Sequence, residues 1–227
     1  MRGEVPAREY LRQWLDRAAE EGKRLARTYA AILVEPGRHI GVAAAGASWV
    51  FAPALIVGYS LLAAVLLWLA WPTTAETFGL ASGLELRRVN VVAVFLGSVV
   101  FHVALAGATY AALRLLARQR AAWLTVLNCV AVAVVPCSAG LLAAWLVVYV
   151  YAPMAVLVLG FAALAAVGFF IEALRSQFNL TAGWTLYAVP LALVVALLAA
   201  ILFLLAVFGG HDEPPARTPP VISVRTL

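Results

Sequence analysis

Charge is scarce in this sequence: only 12% of its 227 residues are Asp, Glu, Lys or Arg. A soluble domain carries about 25%, so a chain solvated mainly by water is excluded. Lysine occurs once against fifteen arginines, an association with GC-rich bacterial or archaeal coding. The signatures of common chemistries are missing too. The chain has no GxxxxGK[ST] phosphate loop, no GxSxG elbow, no HExxH pair and no zinc spacing, which removes the usual routes to nucleotide, serine-hydrolase and metalloprotease activity. The hydrophobic runs hold no histidine pair to ligate haem, and no interface gathers the Asp, Glu, His or Ser cluster that a lipid-modifying enzyme needs. No catalytic residue, cofactor or metal is therefore expected. Cys129 and Cys137 lie eight residues apart in one apolar run. On a helix that is about 12 Å, beyond disulfide reach, so both are expected to pack as small apolar side chains.

What is abundant is hydrophobicity, at 65% of residues. A membrane helix needs about 20 apolar residues, and five stretches qualify: 49–71, 89–113, 122–148, 154–174 and 184–208. Ala121 to Ile171 carries no formal charge for 51 residues. One helix of that length would reach about 75 Å against a ~30 Å core, so the run must fold back. Pro153 in YVYAP marks the break, because the residue before proline is steered away from helix. Trp49, Trp68, Trp71, Trp123, Trp145 and Trp184 fall near the proposed ends, where amphipathic rings favour the headgroup level.

Residues 5–34 read as an amphipathic helix, with Leu11, Trp14, Leu15, Ala18, Gly22, Leu25, Ala26, Tyr29 and Leu33 on one face at period 3.6. Arginines and carboxylates share the other face. Glu35–Pro36–Gly37 stops it, giving a cytoplasmic segment 1–37. Two dispositions suit such a helix: flat on the cytoplasmic surface against anionic lipid, or docked on its own membrane domain. Residues 38–48 fit either an interfacial half-turn or the early part of the first span. The tail 209–227 has four prolines after Gly209–Gly210 and no apolar period, so it is expected to be disordered. No cleavable signal peptide is expected, since the first apolar run starts only after about 40 residues.

Eight of the sixteen basic residues lie in the first 38 positions, beside hydrophobic runs and not along one exposed face, so no nucleic-acid partner is expected. With the N-terminus cytoplasmic, twelve basic residues fall inside and four outside, as the positive-inside rule requires. Five spans then put the tail outside. The expected fold is all-α: a five-span cytoplasmic (inner) membrane bundle, N-terminus in and C-terminus out, behind an N-terminal surface helix.

Few residues could carry function inside the bilayer. An ionised group at its centre costs about 2.5–3.5 kcal/mol on insertion scales, which singles out His102 in the second span. A proton relay would need a partner group, and none is visible; the bland reading is a neutral imidazole bonded to a neighbouring helix. Glu172 and Arg175 are spaced to pair, with docking of a partner as the functional alternative. Thr125, Asn128 and Ser138 suit helix-to-helix hydrogen bonds better than solute binding. Pro136 is expected to kink the third span and free a carbonyl that could line a cavity. GRHIG, residues 37–41, has the GxxxG spacing that lets helices approach. The sequon at Asn179 is expected to be silent, being cytoplasmic.

The order of features resembles the Yip family of membrane proteins that interact with Ypt/Rab GTPases, in its bacterial branch. The likeness covers roughly residues 28–208 and rests on ILVEPGRHI with Pro36, RQRAAWLTVLNCVAVAVVPCSAGLL with Pro136, and the linker ALRSQFNLTAGW before the last span. It implies five spans, a cytosolic N-terminus and action through protein partners, but transfers no functional residue. The favoured function is a non-enzymatic membrane scaffold or interaction protein that contacts protein partners or further copies of itself. The alternative is a small transporter or channel using the kinked third span and His102.

Overall fold

The computed structural model describes residues 7–46, 49–77 and 90–208. Among these residues it forms helices only: α1 (Ala7–Val34), α2 (Pro36–Gly46), α3 (Phe51–Thr77), α4 (Val91–Leu115), α5 (Trp123–Val148), α6 (Ala152–Phe178) and α7 (Ala182–Phe208). The last five are long and apolar enough to cross a membrane, the architecture of a multi-pass membrane protein. Residues 78–89 with Arg87 and Arg88, and residues 209–227 with Arg217, Arg225 and the expected disorder, lie outside the described residues.

Local chemistry explains the breaks. Pro36 does not end helical structure; it opens α2 directly after α1 has stopped at Val34. Proline suits the first helical turn, where its missing N–H has no intrahelical acceptor. Residues 38–46 are accordingly neither a half-turn nor the start of the first span but most of a separate helix. Asn90 caps α4: its Oδ1 accepts from the Val92 and Ala93 amides at 3.0 and 3.2 Å. The fourth span runs past its expected limit of 174, to Phe178, because nothing in EALRSQF breaks a helix. Asn179 ends it in the left-handed conformation, φ 47°, which asparagine tolerates.

The turn after α4 is less well suited. The Ala117 and Gln119 amides fold back onto the Ala112 and Leu113 carbonyls, and Arg118 takes φ 52°. A side chain there costs about 1–2 kcal/mol. Arg118→Gly is expected to raise stability by about 0.5–1 kcal/mol, read as a later unfolding midpoint in mixed detergent micelles.

α5 is the centre of the bundle and packs against α2, α3, α4 and α6. α6 lies mainly on α5, and α7 mainly on α4. Lipid tails are as apolar as leucine, so packing and not water exclusion holds such helices together. The contact faces are small-residue faces. On α7, Ala188, Ala192, Ala196 and Ala200 are buried while Leu191, Leu198 and Leu202 point outward. Where α5 crosses α6, a Cβ added at Gly140 would collide with the Cβ of Ala162.

The third span stays a single helix through Pro136, which is buried in it. α2 sits against α5, α6 and α1. The last four carbonyls of a helix lack intrahelical donors, and one near the end of α2 is met from α5: Asn128 Nδ2 donates to the Ala44 carbonyl at 3.5 Å. From α6, Gln177 Nε2 donates to the Gly41 carbonyl at 2.9 Å. Gly41 earns its place by this approach, since an added Cβ would stand 3.3 Å from Ser176 Cβ and Oγ.

Candidate functional site

His102 is buried on α4, at 8% exposure. Its hydrogen bond does not go to a neighbouring helix, as expected, but to its own: Nδ1 lies 2.7 Å from the Ser98 carbonyl four residues back. A carbonyl only accepts, so Nδ1 carries the proton, and in the neutral ring Nε2 keeps its lone pair. The reason is proximity, because one helical turn brings an acceptor within reach without ordering a second helix. Tyr59 of α3 and Phe101 meet the ring edge-on at 5.5 and 5.2 Å between centroids. One turn away, Ser60 Oγ donates to Ser98 Oγ at 2.9 Å, tying α3 to α4.

A second polar contact joins α1 to the middle of α5. Ser138 spends its proton on the Val135 carbonyl at 2.8 Å. Its oxygen can then only accept, so the 2.7 Å contact with Tyr29 is a hydrogen bond donated by the phenol. The Tyr29 hydroxyl also stands 3.4 Å from the Val135 carbonyl. This is the stretch of α5 where Pro136 supplies no N–H. Nearby, Ile32 is fully buried, and Leu25 packs against the same core. The C-terminal third of α1 is thus docked on the bundle, while most of its N-terminal half is exposed. Tyr29→Phe is expected to cost about 1 kcal/mol. Ser138→Ala should cost as much, and the double variant less than the sum, read as unfolding midpoints in a double-mutant cycle.

The remaining sequence candidates do not converge on one site. Asn128 is buried with its Oδ1 unpartnered and serves the end of α2. Glu172 and Arg175 are both exposed on α6, and the ion pair expected between them is not formed. Holding two long solvated side chains together costs entropy that a surface pair barely returns. Among the described residues no three His, Cys, Asp or Glu side chains group to hold a metal ion.

A hollow of ligand size lies elsewhere. A groove of about 860 Å3 runs between α1, α2 and the first turn of α3. Arg17, Glu21, Arg24, Arg27 and His39 line it together with Leu25, Val42, Trp49 and Phe51. A second depression, about 430 Å3, is lined by Leu116, Trp184, Tyr187 and Leu191. Neither includes His102 or Pro136. Tyr59, Ser60, Ser98 and Gln177 carry contacts that no sequence motif announced. Two serines in apolar spans were a signal for a helix-to-helix bond; nothing local marks Gln177, whose acceptor is 136 residues away.

No family model matches the chain, and no curated protein or solved structure matches it.

Proposed function

We propose that the chain is a non-enzymatic scaffold or interaction protein of the cytoplasmic membrane, which presents the exposed face of α1 to a protein partner. In this reading the N-terminus is cytoplasmic, the tail is outside, and α1 is an amphipathic helix held beside the bundle. The observation that carries it is the division of α1: Tyr29 and Ile32 anchor its end, while Arg12, Asp16, Glu20 and Lys23 stay exposed. A helix anchored at one end offers a pre-ordered charged surface, which lowers the entropic cost of binding. The sequence resemblance to the Yip family points the same way and is proposed on those residues alone.

The competing transporter reading needs a polar path to His102. That ring is enclosed by Tyr59, Phe101 and the Ser98 carbonyl, and neither described hollow reaches it.

The test is a photo-crosslinking residue at position 12, 16 or 20 in native membranes, with position 197 as a lipid-facing control. Discrete protein adducts from α1 alone are expected. Adducts equal at all positions, or His102-dependent proton flux into proteoliposomes carrying a pH-sensitive dye, would overturn the reading in favour of transport.

A further inference from the structure

We infer that the groove between α1, α2 and the start of α3 binds one anionic phospholipid, headgroup against α1 and acyl chain along α2 toward α3. Three observations converge on this occupant. The α1 wall brings three arginines, Arg17, Arg24 and Arg27, against a single carboxylate, Glu21. None of the three arginines has a salt-bridge partner among the described residues, so their guanidinium groups are available for bidentate contact with a phosphate. Apart from His39, the opposite wall is apolar. Val42 is 67% exposed on α2 and Phe51 and Ala54 continue the surface into α3, the first helix long and apolar enough to cross the membrane. Trp49, 76% exposed, stands at the junction, the level at which indole rings favour headgroups. The groove therefore grades from cationic to apolar over the same path as a phospholipid grades from phosphate to chain.

A soluble anion would use the arginines and ignore the apolar wall. A neutral lipid would use the wall and leave the arginines unpaired. Only a lipid with a net negative headgroup uses both. The inference is independent of the scaffold reading, because the crosslinking positions 12, 16 and 20 are not among the residues that line the groove.

The experiment uses the full chain in mild detergent, titrated with dioleoylphosphatidylglycerol, dioleoylphosphatidylcholine or inorganic phosphate and read by native mass spectrometry. One phosphatidylglycerol per chain is expected, bound at least about tenfold more tightly than phosphatidylcholine, with no competition from inorganic phosphate. R17Q/R24Q/R27Q should weaken phosphatidylglycerol by on the order of a hundredfold, to the phosphatidylcholine level. R114Q/R118Q/R120Q, outside the groove, should change nothing. Ala18 is exposed and lines the groove, so A18W fills it while keeping every charge; it should abolish the bound lipid. Equal retention of both lipids by the natural chain overturns the inference. So does undiminished binding by A18W, which would reduce the effect to general attraction by a basic helix, or displacement by phosphate alone.

Discussion

Gly140→Leu is expected to be the most damaging single change in the membrane domain, lowering stability by about 3 kcal/mol or more. At this crossing the helices α5 and α6 come so close that even one added carbon would meet Ala162. The obstacle is a Cβ fixed to backbone, not the mobile end of a long side chain, so relief requires the helices to part. Their separation is costly, because α5 and α6 share the most extensive helix–helix interface among the described residues, and in lipid such an interface is held mainly by close packing. Gly140→Ala should already cost about 1–2 kcal/mol. The cause is specific enough to be reversed. Ala162→Gly removes the opposing Cβ and should restore most of the stability of Gly140→Ala, while doing little for Gly140→Leu. Unfolding midpoints in graded mixtures of mild and denaturing detergent read all four variants. Gly140→Leu as stable as the natural chain would show that α5 and α6 do not meet in this way.

Ile32→Asp is expected to release α1 from the bundle while leaving the five spans folded. Ile32 has no exposed surface, and its neighbours in the core are apolar. A carboxylate there would be buried without a partner, at several kcal/mol. Besides its packing on α2, few contacts dock α1 on the spans: Ile32 itself, the Tyr29 bond to Ser138, and the flank of Leu25. Undocking is therefore the cheaper outcome. Trypsin should then cut after Arg24 and Arg27 at least about ten times faster, since cleavage follows the population of the open form. Detergent unfolding of the remaining domain should move little, because α1 contributes few of its contacts. Ile32→Leu should behave like the natural chain. Unchanged cleavage in Ile32→Asp would mean that α2 alone retains α1.

These two variants also mark how far the sequence could be read. Five apolar stretches were legible at once, because hydrocarbon tolerates only long helices with internally satisfied backbones. So was the break at Pro153, and the point where α1 stops. The end of α6 was misplaced, because the polarity of Glu172, Arg175 and Gln177 resembles a loop when nothing states that a helix leaving the bilayer can continue into water. Residues 38–46 stayed ambiguous for a related reason. Small, weakly apolar residues suit a loop, a span or a short helix, and the separate helix is defined only where α2 packs against α1, α5 and α6.

The candidate site divides in the same manner. His102, Asn128, Ser138 and Pro136 could be picked out by type, since polar groups and prolines are conspicuous among aliphatic side chains. Their partners could not. The Tyr29 and Gly41 contacts join residues 109 and 136 positions apart in the chain, and no local period encodes such a pairing. The groove is less legible still, being assembled from the walls of three helices.

Composition by itself determined that this chain forms long apolar helices, because the free energy of placing each residue in hydrocarbon or water is a sum of local terms. Tertiary structure alone decided which small residues meet, which hydroxyl of α5 receives the Tyr29 phenol, and that α1 and α2 together line a charged groove. Those outcomes depend on the relative rotation and depth of helices, which every contact in the bundle sets jointly.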